Sequence, residues 1–219
     1  MKMKIMIITH AGGSKKYGPN MRWYNLGQEL KLQNINLTII ASSFFHKYIK
    51  FPKLKNNKST EEIDDIKYIW IKTRPYKKRG ISQILNQFEF TLKLIFFIKQ
   101  IRKEKPNFII ASSPHPFVIF PAYLLSKTCS SKLIYEARDL WPGVLYQLKV
   151  LKKINPYYWI LKITEIFSIK IADLIIYLKE GESAYYKEFF QVKEKKLLHI
   201  TNSHYQNNLP IRSFEKSYD

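Results

Sequence analysis

Short apolar runs alternate along this chain with longer stretches in which apolar residues recur at helical spacing. Six runs, at 4–9, 37–41, 66–71, 108–111, 133–135 and 174–178, are nearly continuous and rich in β-branched or aromatic residues. Such runs predict strands buried on both faces, the pattern of a parallel sheet between helical layers. The intervening stretches 20–31, 81–102, 117–126, 156–172 and 182–190 predict helices. Asn155 supplies a cap for the fourth of them and Pro156 its first helical position. Strand and helix in steady alternation predict an α/β, Rossmann-like, doubly wound sheet with helices on both faces.

Helix 81–102 carries two apolar stripes. Ile81, Ile84, Leu85, Phe88, Leu92 and Ile95 have core spacing, and Phe90, Leu94, Phe97 and Ile101 lie nearly opposite. The first stripe is expected against the sheet. The second is expected to meet a neighbouring helix or, with Lys93, Lys99, Arg102 and Lys103 nearby, an anionic membrane surface.

Composition narrows the class. With 46% hydrophobic and 15% aromatic residues in 219, the chain can build a core. One cysteine, Cys129, excludes an internal disulfide and points to a reducing compartment. The most apolar stretches are shorter than the roughly 20 residues of a membrane-spanning helix. A net charge of +20 favours a polyanionic partner: nucleic acid, anionic lipid or phosphorylated small molecules. The basic residues are scattered and no nucleic-acid-binding module is present, so nucleic acid is not expected. His10, His46, His115, His199 and His204 lack metal-ligand spacing, so no metal is expected.

In an open parallel sheet, ligands bind outside the carboxyl ends of the strands. Gly12 and Gly13, Ser42 and Ser43, the run from Lys72 to Tyr76, the run from Ser112 to Pro116, Glu136 to Pro142, and Lys179 to Gly181 all follow strands. Most of the unusual chemistry of the chain is thus placed on one rim. Gly12 and Gly13 would let backbone amides approach a phosphate, or would serve only a tight turn. His115, between prolines, would exchange a proton with a hydroxyl or bond a loop carbonyl. Arg138 and Asp139 would line the cleft or pair with each other, and Trp141 would stack on a ligand or pack a loop.

Together, the segments THAGGSKKYGPNMRWYNLGQEL, TIIASSFFHKY, WIKTRPYKKRGI, NFIIASSPHPF, YEARDLWPG and ADLIIYLKEG resemble the N-terminal half of bacterial family-4 glycosyltransferases of the capsule and O-antigen type. The resemblance covers residues 1–205 and implies a GT-B architecture, with 206–219 as a polar tail beginning an interdomain linker and the donor-binding C-terminal half outside this sequence. It implies no cofactor, a nucleotide-sugar donor held mainly by that other half, and a sugar acceptor of the polyprenyl-diphosphate-linked kind. A second chain would supply the donor-binding domain, and the protein would sit peripherally on the cytoplasmic face of the membrane. By the same resemblance, Gly12, Gly13 and Arg22 meet the donor diphosphate. Arg138, Asp139 and His115 are the catalytic candidates; His46, Pro75, Tyr76, Ser113, Glu136 and Trp141 are the acceptor-side candidates. Two departures stand out: Arg138-Asp139 occupies the place of a His-Asp pair, and Gly143-Val144 follows Pro142 where relatives carry Glu-Ser.

Overall fold

The computed structural model describes residues 2–77 and 80–201. The tail at 206–219 lies outside the described residues. Eight strands form one sheet: β1 (Lys4–Thr9), β2 (Asn36–Ser42), β3 (Lys58–Ile63), β4 (Ile66–Ile71), β5 (Phe108–Ser112), β6 (Lys132–Ala137), β7 (Leu174–Tyr177) and β8 (Leu197–His199). Their order is β3-β4-β2-β1-β5-β6-β7-β8, and only the β3/β4 pair is antiparallel. The helices are α1 (Arg22–Leu32), α2 (Ile81–Ile101), α3 (Ile119–Cys129), α4 (Gly143–Gln147), α5 (Pro156–Ile171) and α6 (Glu182–Phe190).

Alternation along each strand divides the core in two. On one face Ile7, Ile39, Tyr68 and Trp70 pack with Trp23 and Tyr24 of α1 and with Tyr17 and Tyr48 of the adjoining loops. On the other, Met6, Ile8, Ile40, Ile69, Ile109 and Leu133 pack against α2, α3 and α5. The doubly wound α/β class is therefore the observed one. All six expected strands form, and α5 starts as anticipated, with Asn155 Oδ1 accepting from the Tyr157 amide at 2.9 Å.

The differences are local. Strand β3 follows the lysine-rich loop and pairs with β4 through a two-residue turn, Asp64-Asp65, with both residues at positive φ (49° and 65°). Asp tolerates that left-handed conformation, which a mirror-image hairpin turn requires at both positions. The three-residue β8 and five-residue α4 are too short for a periodic signal.

Helix α2 lies the other way round from the expected orientation. Its sheet-facing residues are Asn86, Gln87, Phe90, Thr91, Leu94, Ile98 and Ile101; Ile81, Leu85, Phe88, Leu92 and Phe96 point outward. Both stripes are apolar, so periodicity alone cannot choose between them. The polar groups decide: Asn86 and Thr91 are needed inside, against the rim. Burying Phe90 and Leu94 there contributes about 2–3 kcal/mol each.

Candidate functional site

Strand β1 pairs with β2 on one side and β5 on the other, and the chain winds away in opposite directions from that point. The loops after β1 and β5 consequently separate at the carboxyl edge, where a doubly wound sheet forms its crevice. The loops after β2, β4 and β6 join the same rim.

At its floor are two buried histidines, His10 and His115, ring centroids 5.4 Å apart and edge to face. His10 Nε2 lies 2.5 Å from Asn86 Oδ1, while Asn86 Nδ2 donates to Thr73 Oγ1 (3.0 Å) and to the Arg74 carbonyl (2.5 Å). Since the amide nitrogen faces those acceptors, Oδ1 faces the imidazole, and His10 must donate from Nε2. The Thr73 hydroxyl then donates to Ser42 Oγ (2.7 Å), and Ser42 donates to the Phe44 carbonyl (2.9 Å). One directional chain thus ties the loops after β1, β2 and β4 to α2. The same logic applies to His115: Thr91 gives its proton to the Gln87 carbonyl (3.0 Å), so His115 Nε2 donates to Thr91 Oγ1 (3.1 Å). His115 Nδ1 is buried without a partner among the described residues. Burial holds both rings neutral. It lowers His10 from 6.5 to about 4, against the hydrogen bond His10 donates to Asn86, and it lowers His115 well below its ordinary value with help from the neighbouring His10.

On the β5/β6 side lies a buried carboxylate. Glu136 accepts from Arg22 Nε (2.9 Å) at one oxygen and from Ser112 Oγ (2.5 Å) at the other, and Trp23 Nε1 donates to that same serine (3.2 Å). Burial raises the Glu136 carboxyl above its usual range; Arg22, Ser112 and Arg138 pull it back. Arg22 also donates to the Thr201 carbonyl at 3.0 Å. Ser113 Oγ accepts from the Arg138 amide at 2.8 Å, which fixes the start of the β6 loop. The Arg138 side chain is half-buried and makes no ion pair among the described residues, whereas Asp139 is 3.8 Å from Lys179. Arg138 and Asp139 therefore do not pair with each other.

The glycines have packing reasons. A Cβ on Gly12 would lie 2.7 Å from Ala41 Cβ, and one on Gly13 would lie 2.0 Å from the Pro19 carbonyl oxygen. The Gly12 amide already donates to Tyr48 Oη at 2.8 Å, so it is engaged inside the protein. His46 Nδ1 is 3.0 Å from Tyr76 Oη beside Phe44, Tyr76 is buried and Pro75 is exposed. Trp141 packs on the cluster of Phe117, Leu151, Tyr158 and Leu161, holding its loop down.

The rim thus gathers His10, His46, Tyr76, His115, Ser113, Glu136, Arg22 and Arg138 from loops far apart in sequence. Phe45 links His46 to the histidine floor, its ring 4.6 Å from His46 and 6.2 Å from His10. The sequence pattern passes over Asn86 and Thr91, and it places Thr73 on the rim without a role. The one available signal was their polarity on the inner side of an otherwise apolar helix or at a strand end.

The fold matches GT-B half-domains, as seen in a sucrose-phosphate synthase and in UDP-N-acetylglucosamine 2-epimerases. Among solved structures, sucrose-phosphate synthase of Thermosynechococcus elongatus superposes with a TM-score of 0.61 at 14% identity, over 91% of this chain and 48% of that one. The 2-epimerase of Methanocaldococcus jannaschii gives 0.51 at 15%, over 91% and 45%. HepE of Anabaena in complex with UDP-glucose gives 0.52 at 11%, over 92% and 44%. The chain spans about half the length of these proteins. No family model and no curated protein matches the sequence.

Proposed function

We propose that this chain is the acceptor-side half of a glycosyltransferase, working with a donor-binding half that holds the nucleotide sugar. The observation carrying this reading is the convergence of five strand-end loops at the switch point between β1 and β5, with the half-buried Arg138 side chain near Glu136 there and in no ion pair among the described residues. An open cation at such a crevice suits the diphosphate of a donor or of a polyprenyl-diphosphate-linked acceptor. His46, Tyr76 and Ser113 would contact acceptor hydroxyls. The neutral, buried His10 and His115 would shape the floor, His115 in the role given to it by the family resemblance. Arg22, already tied to Glu136, would turn a donor phosphate toward the rim. On this reading the acceptor belongs to surface polysaccharide assembly on the cytoplasmic side of a membrane, as the family resemblance implies.

Calorimetric titration of the chain with a short-chain polyprenyl-diphosphate N-acetylhexosamine tests the reading. Binding is expected, and Arg138→Ala is expected to weaken it about 10- to 100-fold, the worth of one charge-assisted phosphate contact. No binding, or binding indifferent to Arg138, would refute it. The 2-epimerases of the same fold supply a second reading. Under that reading, incubation with UDP-N-acetylglucosamine and the complementary half yields an epimerised nucleotide sugar rather than a labelled acceptor.

A further inference from the structure

Beside the rim, at the outer end of the sheet, an open hollow of about 630 Å³ lies between the loop leading into β3, the end of β4 and the C-terminal half of α2. That volume falls within the range of small-ligand sites. Three lysines line it. Lys55 and Lys72 are exposed, and Lys58 is half-buried with its ammonium 5.8 Å from the centre of the Phe97 ring. Among the described residues no carboxylate lines the hollow and none of the three amines is in an ion pair. The carboxylates of the neighbouring elements are engaged or placed elsewhere. Glu89 of α2 is held by Arg74 and Lys93, Glu61 of β3 by Lys16, and Glu62 lines a different hollow at the amino edge of the sheet with Lys4 and Glu104.

With 37 Lys and Arg against 17 Asp and Glu, a lysine outside any ion pair is ordinary in this chain. What sets these three apart is that they converge on one concavity whose other walls suit a sugar. Asn56, Asn57 and Gln100 present side-chain amides, each able to donate to one hydroxyl and accept from the next, and none of them makes a side-chain hydrogen bond among the described residues. The half-buried Phe97 offers ring surface to the C–H face of a pyranose. The wall is already fixed: the Lys72 amide donates to the Asn57 carbonyl at 2.9 Å, and the Lys72 carbonyl accepts from Lys93 Nζ at 2.8 Å. Little ordering is then left to be done on binding. Lys72 is followed directly by Thr73, a member of the hydrogen-bond chain beneath the rim. A saccharide with one end in the crevice can therefore extend into the hollow.

We infer that this hollow is a second saccharide subsite, selective for a sugar bearing an acidic group, a carboxylate or a phosphate, beyond the reacting unit. Its part in the reaction rests on the proposed function, to which it adds the substrate class: an acidic oligosaccharide acceptor rather than a neutral one. Its binding chemistry requires neither a donor nor a lipid-linked diphosphate.

The test is calorimetric titration of the full chain, at one ionic strength, with trigalacturonate, the neutral trisaccharide maltotriose, glucose 6-phosphate and inorganic phosphate. An acidic sugar is expected to bind at least about tenfold more tightly than maltotriose or inorganic phosphate. The tighter of trigalacturonate and glucose 6-phosphate identifies the acidic group. The triple change Lys55→Gln, Lys58→Gln, Lys72→Gln is expected to weaken that binding about thirtyfold, roughly threefold for each solvent-screened cation, and to leave the thermal midpoint unchanged. Should the midpoint fall, Lys55→Gln alone, on an exposed side chain, is expected to give its threefold share. Replacing Lys149, Lys152 and Lys153 by Gln removes the same charge on the β6 side of the sheet and is expected to leave affinity within about twofold. Equal affinity for acidic and neutral trisaccharides, equal losses from the two lysine triples, or inorganic phosphate bound as tightly as the acidic sugars would overturn the inference. These probes carry no diphosphate, so this result and the titration with the polyprenyl-diphosphate sugar can each fail without the other.

Discussion

Acidification weighs the buried histidine pair directly. In the folded protein His10 takes up a proton only near pH 4, whereas in the unfolded chain it does so near 6.5. Above 6.5 both states are neutral at this site and stability is indifferent to pH. Between 6.5 and 4 the unfolded chain gains a proton that the folded one refuses, so stability falls as the pH falls; below about 4 the loss levels off. At 1.36 kcal/mol per pH unit, His10 alone removes about 3 kcal/mol across that window. His115 is displaced in the same direction and adds to the loss. The assay is urea unfolding at a series of pH values, comparing wild type with His10→Gln, whose amide can still donate to Asn86 Oδ1. The comparison cancels every carboxylate that titrates alike in both. The variant is expected to be less stable at neutral pH through poorer packing, and to shed about 3 kcal/mol less on going to pH 4. Parallel stability curves for the two proteins would refute the assignment of a neutral, buried His10.

Three further outcomes are expected. Arg22→Ala leaves the Glu136 carboxylate buried without its partner and is expected to cost about 3–5 kcal/mol in chemical denaturation; the deficit should shrink at lower pH, where Glu136 takes up a proton, and a pH-independent deficit would contradict the pairing. Thr73→Val cuts the hydrogen-bond chain between Asn86 and Ser42 and is expected to cost about 1–3 kcal/mol by the same measurement. Gly13→Ala drives a methyl group into the Pro19 carbonyl and is expected to lower the thermal midpoint sharply, whereas Gly143→Ala, with open space at the first position of α4, is expected to leave it unchanged or raise it slightly.

The architecture was legible in the sequence because continuous apolar runs are what a two-sided parallel sheet demands, and strand ends are where such a sheet keeps its chemistry. The loops around Glu136, His115 and Arg138 could therefore be assigned to one rim before their contacts were known. Strand β3 was hidden because Lys58–Ile63 is an edge strand with charged residues on both faces, Glu61 half-buried where it accepts from Tyr17 and Trp70, and because Asp64-Asp65 is a rarer turn signal than Asn-Gly. The orientation of α2 was hidden for a different reason: two apolar stripes on one helix are degenerate until their partners are known. Asn86 and Thr91 drew no notice, and Thr73 was placed on the rim without a role, because their roles arise only when four distant segments meet. At Gly12 and Gly13 the sequence left phosphate approach and a tight turn both open, and the packing around them demands glycine on steric grounds alone.

An open sheet ends in two rows of backbone groups that could each recruit a strand from another molecule. At one end, three of the six residues of β3 are charged, and Lys16 reaches across to Glu61. At the other end β8 offers only three residues. Neither rim is a long, flat template for fibril-like growth, so clumping at high protein concentration would have to begin on the helical side, where detergent or lipid, rather than a mutation in the sheet, would be the remedy.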